Sequence, residues 1–149
     1  MATREQLLAL ARETAAAHDL DAEIVCAICE QESAWNPWAI RYEGGFFQRY
    51  VIPEWRANRV PSYTEAQARA ISWGLMQVMG QTAREHGFTG AHLSELCEPA
   101  TGLAIGCRVL AHKLAAAEGN VARALLLWNG GADAAYPDHV LARADKYRA

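Results

Sequence analysis

Residues 21–33 read Asp21-Ala22-Glu23-Ile24-Val25-Cys26-Ala27-Ile28-Cys29-Glu30-Gln31-Glu32-Ser33, and the class of the fold turns on this stretch. Side chains three and four apart are neighbours on a helix surface. On a helix, Ile24, Ile28 and position 32 form one row, and Val25 and Cys29 form the row beside it. Asp19 or Asp21 supplies an N-cap, and the helix is expected to run to about Ser33. Asn36-Pro37 is expected to stop it, because the residue before proline is pushed out of the helical region. Glu23 and Glu30 fall on the other side and are expected to be solvated. Glu32 alone of the three acids continues the apolar face. A carboxylate carried toward a core has its charged form disfavoured and its pKa raised. That makes Glu32 a candidate general acid, still protonated near neutral pH.

Outward from this helix the chain keeps giving helix signals and few strand signals. Thr3 can cap a first helix to about His18, with Leu7, Leu8, Leu10 and Ala11 on its buried side. Residues 36–61 carry Gly44-Gly45, Pro53 and Pro61 and read as irregular, with one short helix at most. Thr64-Glu65-Ala66-Gln67 reads as a capping box opening a short helix to about Ile71. Another is expected from Gln81 to His86, ended by Gly87. Pro99 suits the first turn of a long helix to about Glu118, closed by Gly119. A further helix is expected from Val121 to Trp128, stopping at Gly130-Gly131, and Pro137 opens the last, to about Tyr147. The expected architecture is all-α, about seven helices in one domain spanning residues 1–149.

Composition agrees and excludes several classes. In 149 residues, 52% hydrophobic and 21% charged, there is material for one ordinary globular core. The formal charge of −3 leaves no basic stripe for a nucleic acid. No apolar run approaches the length of a membrane span. The N-terminal Met1-Ala2-Thr3-Arg4-Glu5 lacks the apolar stretch of a secretory signal. Cys26 and Cys29 sit inside the apolar helical run, where small buried thiols are common. Cys97 and Cys107 are spaced too widely for a zinc half-site, while a disulfide between them stays open. The five histidines show no HExxH spacing. No metal and no cofactor is expected.

Aromatic residues are concentrated between positions 35 and 73, which hold Trp35, Trp38, Tyr42, Phe46, Phe47, Tyr50, Trp55, Tyr63 and Trp73. Most are expected to form a small core under a long loop, with one to three reaching a binding surface. The same segment holds Glu43 and Glu54.

Three motifs follow one another on this helical background. They are Glu32-Ser33-Ala34-Trp35-Asn36-Pro37, then Gly74-Leu75-Met76-Gln77-Val78-Met79 with Thr82-Ala83, then Ala124-Leu125-Leu126-Leu127-Trp128-Asn129-Gly130-Gly131. In this order the chain resembles the soluble lytic transglycosylases and goose-type lysozymes, whose usual forms are Glu-Ser-x-x-x-Pro, Gly-Leu-Met-Gln and Ala-Tyr-Asn-x-Gly. The resemblance runs from about Leu7 to Tyr147 and leaves out the aromatic-rich segment of about 36–73, which reads as an insertion. It implies a lysozyme-like α fold with a glycan cleft. It implies cleavage of β-1,4 glycan strands of peptidoglycan, with Glu32 as acid and then base. It places Ser33, Gln77, Met79, Trp128, Asn129 and, more loosely, Tyr136 at the substrate. Trp128 departs from the pattern, standing where the family prefers tyrosine.

A lytic transglycosylase needs one carboxylate and closes a 1,6-anhydro ring on N-acetylmuramic acid. A goose-type lysozyme holds a water with a second acid, for which Glu43 and Glu54 are the candidates. A non-catalytic wall-binding or phage structural module is the alternative of another class. The expected partner is the peptidoglycan glycan strand, met by a monomer at the cell wall. With no secretory signal in the chain, a phage origin or removal of the signal is expected.

Overall fold

The computed structural model describes residues 1–148. Helix α1 (Arg4–Ala17) opens with a reciprocal cap: the Thr3 hydroxyl accepts from the Gln6 amide, and the Gln6 side chain accepts from the Thr3 amide. Its buried row is Leu7, Ala11 and Ala15, with Leu8 and Leu10 only partly buried against the core. Helix α2 (Ala22–Ser33) is more enclosed than an amphipathic helix. Every residue from Ile24 to Cys29 is buried, because α1 lies on one side and the C-terminal helix on another. The small side chains Cys26, Ala27 and Cys29 permit that double approach. The expectation of a solvated Glu30 is therefore corrected. Glu30 is held by Lys146 Nζ at 2.6 Å, with Arg143 Nε at 3.8 Å.

Helix α2 ends at Ser33, as expected, but a turn before Asn36-Pro37 stops it. Ala34 and Trp35 both adopt left-handed backbone angles, φ 50° and 65°, and the Trp35 amide donates back to the Cys29 carbonyl. Left-handed angles are unfavourable for residues with a Cβ by about 1–2 kcal/mol each. The Trp35 side chain offsets this. It is buried, its indole N–H donates to the Tyr147 hydroxyl at 3.0 Å, and its ring meets Tyr147 edge-on.

The segment expected to be irregular is ordered. Strands β1 (Ile40–Tyr42), β2 (Ile71–Trp73) and β3 (Val78–Met79) form an antiparallel sheet in that order, Ile40 opposite Trp73 and Trp73 opposite Val78. Strands this short show no readable alternation. Between β1 and β2 runs one helical stretch, α3 (Gly44–Phe46), a π-helical turn (Phe47–Val51) and α4 (Ile52–Arg56). Helix α5 (Tyr63–Arg69) follows. Its cap is Ser62, whose hydroxyl accepts from the Glu65 amide, so the box expected at Thr64 lies two residues late. Ile71 belongs to β2 rather than to this helix.

Phe47, Val51, Val60, Ala66 and Ala70 make a second, smaller core. Glu65 fastens it to the rest, taking Arg69 Nε at 3.3 Å and Arg84 Nε at 2.6 Å. Arg84 continues to the carbonyls of Phe88 and Gly90. These side chains are largely shielded from solvent, so their attraction is weakly screened.

The C-terminal half follows the sequence closely. Helix α6 (Gly80–Glu85), α7 (Pro99–Ala116), α8 (Val121–Trp128) and α9 (Tyr136–Ala144) lie within two residues of the expected bounds at most ends. A 3-10 turn at Leu93–Cys97 has no counterpart in the sequence reading, and the last stretch expected as helix, Asp145–Tyr147, is a 3-10 turn. The fold is thus helical with one small sheet. All four cysteines are unpaired and buried, and burial pushes the Cys26 thiol up to about 11 and Cys107 up to about 12. Cys97 and Cys107 do not pair. Among the described residues no group of three or more metal-binding side chains occurs, and no helix is long and apolar enough to cross a membrane.

Gly74 shows how tightly the second motif is packed. It has φ +72°, and an added Cβ would lie 2.5 Å from the Leu96 carbonyl oxygen. Gly74→Ala is expected to lower stability by about 2–4 kcal/mol, read as an earlier midpoint in a urea titration. An unchanged midpoint would contradict the packing described.

Candidate active site

Glu32 occupies the last turn of α2, where the buried helix emerges. Its Oε1 accepts a hydrogen bond from the Tyr136 hydroxyl at 2.6 Å. Tyr136 is the first residue of α9 and is itself buried. The turn before it is shaped by Asp133, whose carboxylate accepts from the Ala135 amide and whose carbonyl accepts from the Tyr136 amide. Burial raises the Glu32 pKa above the ordinary carboxylate value. The Tyr136 hydroxyl, the positive charge of Arg41 and the Trp128 side chain each pull it part of the way back. Burial and the facing carboxylate drive the Tyr136 phenol far above its usual range, so it stays a proton donor to Glu32. The site therefore holds a carboxyl group that keeps its proton to higher pH than usual, at the mouth of an open groove.

That groove has a cavity volume of about 680 Å³, within the range of ligand sites, and its open form suits a length of polymer. One wall comes from β1 and α3, with Arg41, Glu43 and Phe46. The floor is the sheet and the turn before β3, with Ser72, Gln77, Val78 and Met79. The far wall is Thr82 of α6 with Val109 and Lys113 of α7, and the end of α8 adds Leu127, Trp128, Asn129, Gly130 and Ala132. A smaller cavity among Leu20, Ile24, Leu110 and Leu125 is almost wholly apolar and offers no acid–base chemistry.

The structure gathers Glu32, Gln77, Met79, Trp128, Asn129 and Glu43 around this groove, and sets Tyr136 behind Glu32. Two of the motif residues spend their polar atoms on the backbone. The Ser33 hydroxyl lies 2.9 Å from the Cys29 carbonyl and 2.8 Å from the Leu75 carbonyl, and its single proton serves both. It joins the end of α2 to the second motif and does not line the groove. Gln77, at φ 51°, donates its amide to the carbonyls of Ala39 and Gly74, leaving the carbonyl oxygen for a ligand. Asn129 is the C-cap of α8 and also lines the groove. Glu54 lies outside the groove, paired with Arg59 at 2.8 Å, whereas Glu43 is in the wall, paired with Arg41 at 2.9 Å.

Sequence reasoning did not single out Arg41, Thr82 or Lys113 for the groove. Arg41 faces inward only because β1 exists, and a three-residue strand gives no face to read. Lys113 stands one turn from Val109 on α7, and the sole signal was a cation in a mainly apolar helix. Of the nine aromatics between positions 35 and 73, Phe46 lines the groove. Trp35, Phe47 and Trp73 are buried instead.

Two outcomes follow. Tyr136→Phe removes a bond to the charged form of Glu32, so its pKa rises further. The alkaline limb of the kcat/KM profile is expected to move to higher pH, and a limb that stays or falls would contradict the pairing. Glu32 also has a stability consequence. Below the ordinary value of 4.5 both folded and unfolded chains are protonated and nothing is lost. As pH rises past it, the unfolded chain ionises first and the folded state is progressively disfavoured. Glu32→Gln is therefore expected to melt at higher temperature than wild type at pH 7 and at the same temperature near pH 3.

Comparison with known families places this geometry. No curated protein and no solved structure matches the chain. The family model of the transglycosylase SLT domain matches residues 9–143, so all three motifs and the insertion fall within the match. The chain belongs to the transglycosylase SLT domain family, enzymes that break glycosidic bonds in peptidoglycan.

Proposed function

We propose that the protein cleaves the β-1,4 bond between N-acetylmuramic acid and N-acetylglucosamine as a lytic transglycosylase, with Glu32 as its one catalytic carboxyl group. The observation that supports this most is the pairing of a half-buried Glu32 with Tyr136 at the groove. Protonated Glu32 gives its proton to the glycosidic oxygen as the bond from the anomeric carbon breaks. The N-acetyl group of the muramic residue stabilises the positive charge that develops. Ionised Glu32, steadied by the Tyr136 hydroxyl, then takes the proton from the 6-hydroxyl of the same sugar. That oxygen closes on the anomeric carbon, a 1,6-anhydro end forms, and Glu32 is protonated again. No water is consumed. Trp128, Met79, Asn129 and the free carbonyl of Gln77 hold the sugars on either side.

Hydrolysis in the manner of a goose-type lysozyme is the second reading, favoured by Glu43, an acid in the groove wall. Its carboxylate stands in that wall beside Arg41, at 2.9 Å, where a second acid could hold a water. Glu54, turned toward Arg59, has no such claim. In either reading the enzyme works on the wall as a single catalytic domain, and a monomer suffices.

Mass spectrometry of fragments released from purified peptidoglycan tests the choice. Ends lighter by one water than reducing ends are expected, with release about 10²–10⁴-fold slower in Glu32→Gln. Reducing ends, lost in Glu43→Gln, would replace the transglycosylase with a hydrolase. Fragments released equally by wild type and Glu32→Gln would remove Glu32 from the chemistry. No release by wild type would leave a non-catalytic wall-binding module.

A further inference from the structure

The insertion carries aromatic side chains that the proposed reaction does not use. Phe46 lines the groove. Its ring lies 4.9 Å from that of Tyr50, tilted by 46°. Tyr50 is 49% exposed, and the Arg49 guanidinium stands 5.2 Å from the centre of its ring. The backbone explains the arrangement. Phe47 and Val51, four residues apart, turn into the small core. Phe46 and Tyr50 form the preceding row of the same helical stretch; Phe46 packs against that core and Tyr50 is exposed beside Phe46. The stretch passes through a π-helical turn, a feature enriched at functional sites.

We propose that Phe46, Tyr50 and Arg49 form an additional sugar subsite, which takes a pyranose ring of a bound glycan strand other than the two flanking the bond being cut. This rests on the glycan-cleaving reading above. A pyranose presents C–H groups on one face and hydroxyls around its edge. Phe46 offers an aromatic surface, and Tyr50 and Arg49 place donors at its rim. The rings brace each other, so little side-chain freedom remains to be lost on binding. Continuity decides the occupant: Phe46 and Glu32 line one groove, and a strand cut at Glu32 extends along it. Glu32 is hydrogen-bonded by Tyr136 and Trp128, from α9 and α8, with the charge of Arg41 nearby, whereas the ring of Phe46 packs on Tyr50 and on the small core of the insertion. In the proposed subsite these two parts of the groove engage different sugars.

The test compares two strands freed of stem peptides, the shortest that wild type cuts and one three times as long. Tyr50→Ala and Phe46→Leu are measured on both; leucine keeps apolar contact with the small core, and melting temperature checks the fold. The preference in kcat/KM for the long strand is expected to fall about fivefold in each variant, carried mainly by KM. An equal loss on both strands, or none on either, would overturn the subsite while leaving Glu32 chemistry standing. A loss seen only with peptide-bearing peptidoglycan would assign the rings to the stem peptide and overturn it as well. If wild type cuts neither strand, the glycan reading itself fails and the subsite falls with it, an outcome the wild-type control shows directly.

Discussion

Everything in the groove depends on the burial of α2. Six consecutive residues, Ile24 to Cys29, are enclosed, so the helix cannot rotate or slide without opening the main core. Its last turn then projects Glu32 at a place set by packing rather than by surface electrostatics. The left-handed turn at Ala34 and Trp35 ends the helix there. Strain in that turn is tolerated because Trp35 is anchored on Tyr147. A carboxyl group whose pKa burial raises is thus delivered to the edge of the groove by elements that gain their stability elsewhere.

The polar motif residues divide into two kinds. Ser33 and Gln77 are turned largely toward main-chain carbonyls, joining the end of α2, the 74–77 turn and the approach to β1. They hold the groove open in one shape. Tyr136 and Trp128 come from α9 and α8 and act on Glu32 itself, countering part of the effect of burial. The acid thus sits between two opposed influences: burial favours the neutral form needed for proton donation, and the hydrogen bonds favour the ionised form needed for proton removal. The proposed reaction uses Glu32 first as acid and then as base, and that needs both states within reach.

The insertion is more than an appendage. It brings its own core of Phe47, Val51, Val60, Ala66 and Ala70, and its strands β1 and β2 supply a wall and part of the floor. Glu65, between Arg69 and Arg84, ties that core to α6. Removing a partner from a charge cluster this shielded leaves an uncompensated charge, so the segment is coupled to the body and not free to swing.

Much of this was legible in the chain. The periodic row through Ile24, Ile28 and Glu32, the caps at Thr3 and Pro99 and the glycines after the long helices set the helices by local physics alone. The three motifs named the family and pointed to Glu32. What no local signal carried was the partner of that acid. Tyr136 stands 104 positions away, and only the packing of α9 on α2 brings its hydroxyl to Oε1. The strands were equally hidden, since two or three residues give no alternation to read, and with them the inward face of Arg41 and Glu43. The sequence by itself determined the longer helices and that Glu32 continues the buried face of α2, because those follow from neighbours three and four apart. The tertiary structure alone decided what surrounds the acid, because burial and long-range hydrogen bonds exist only once distant segments meet.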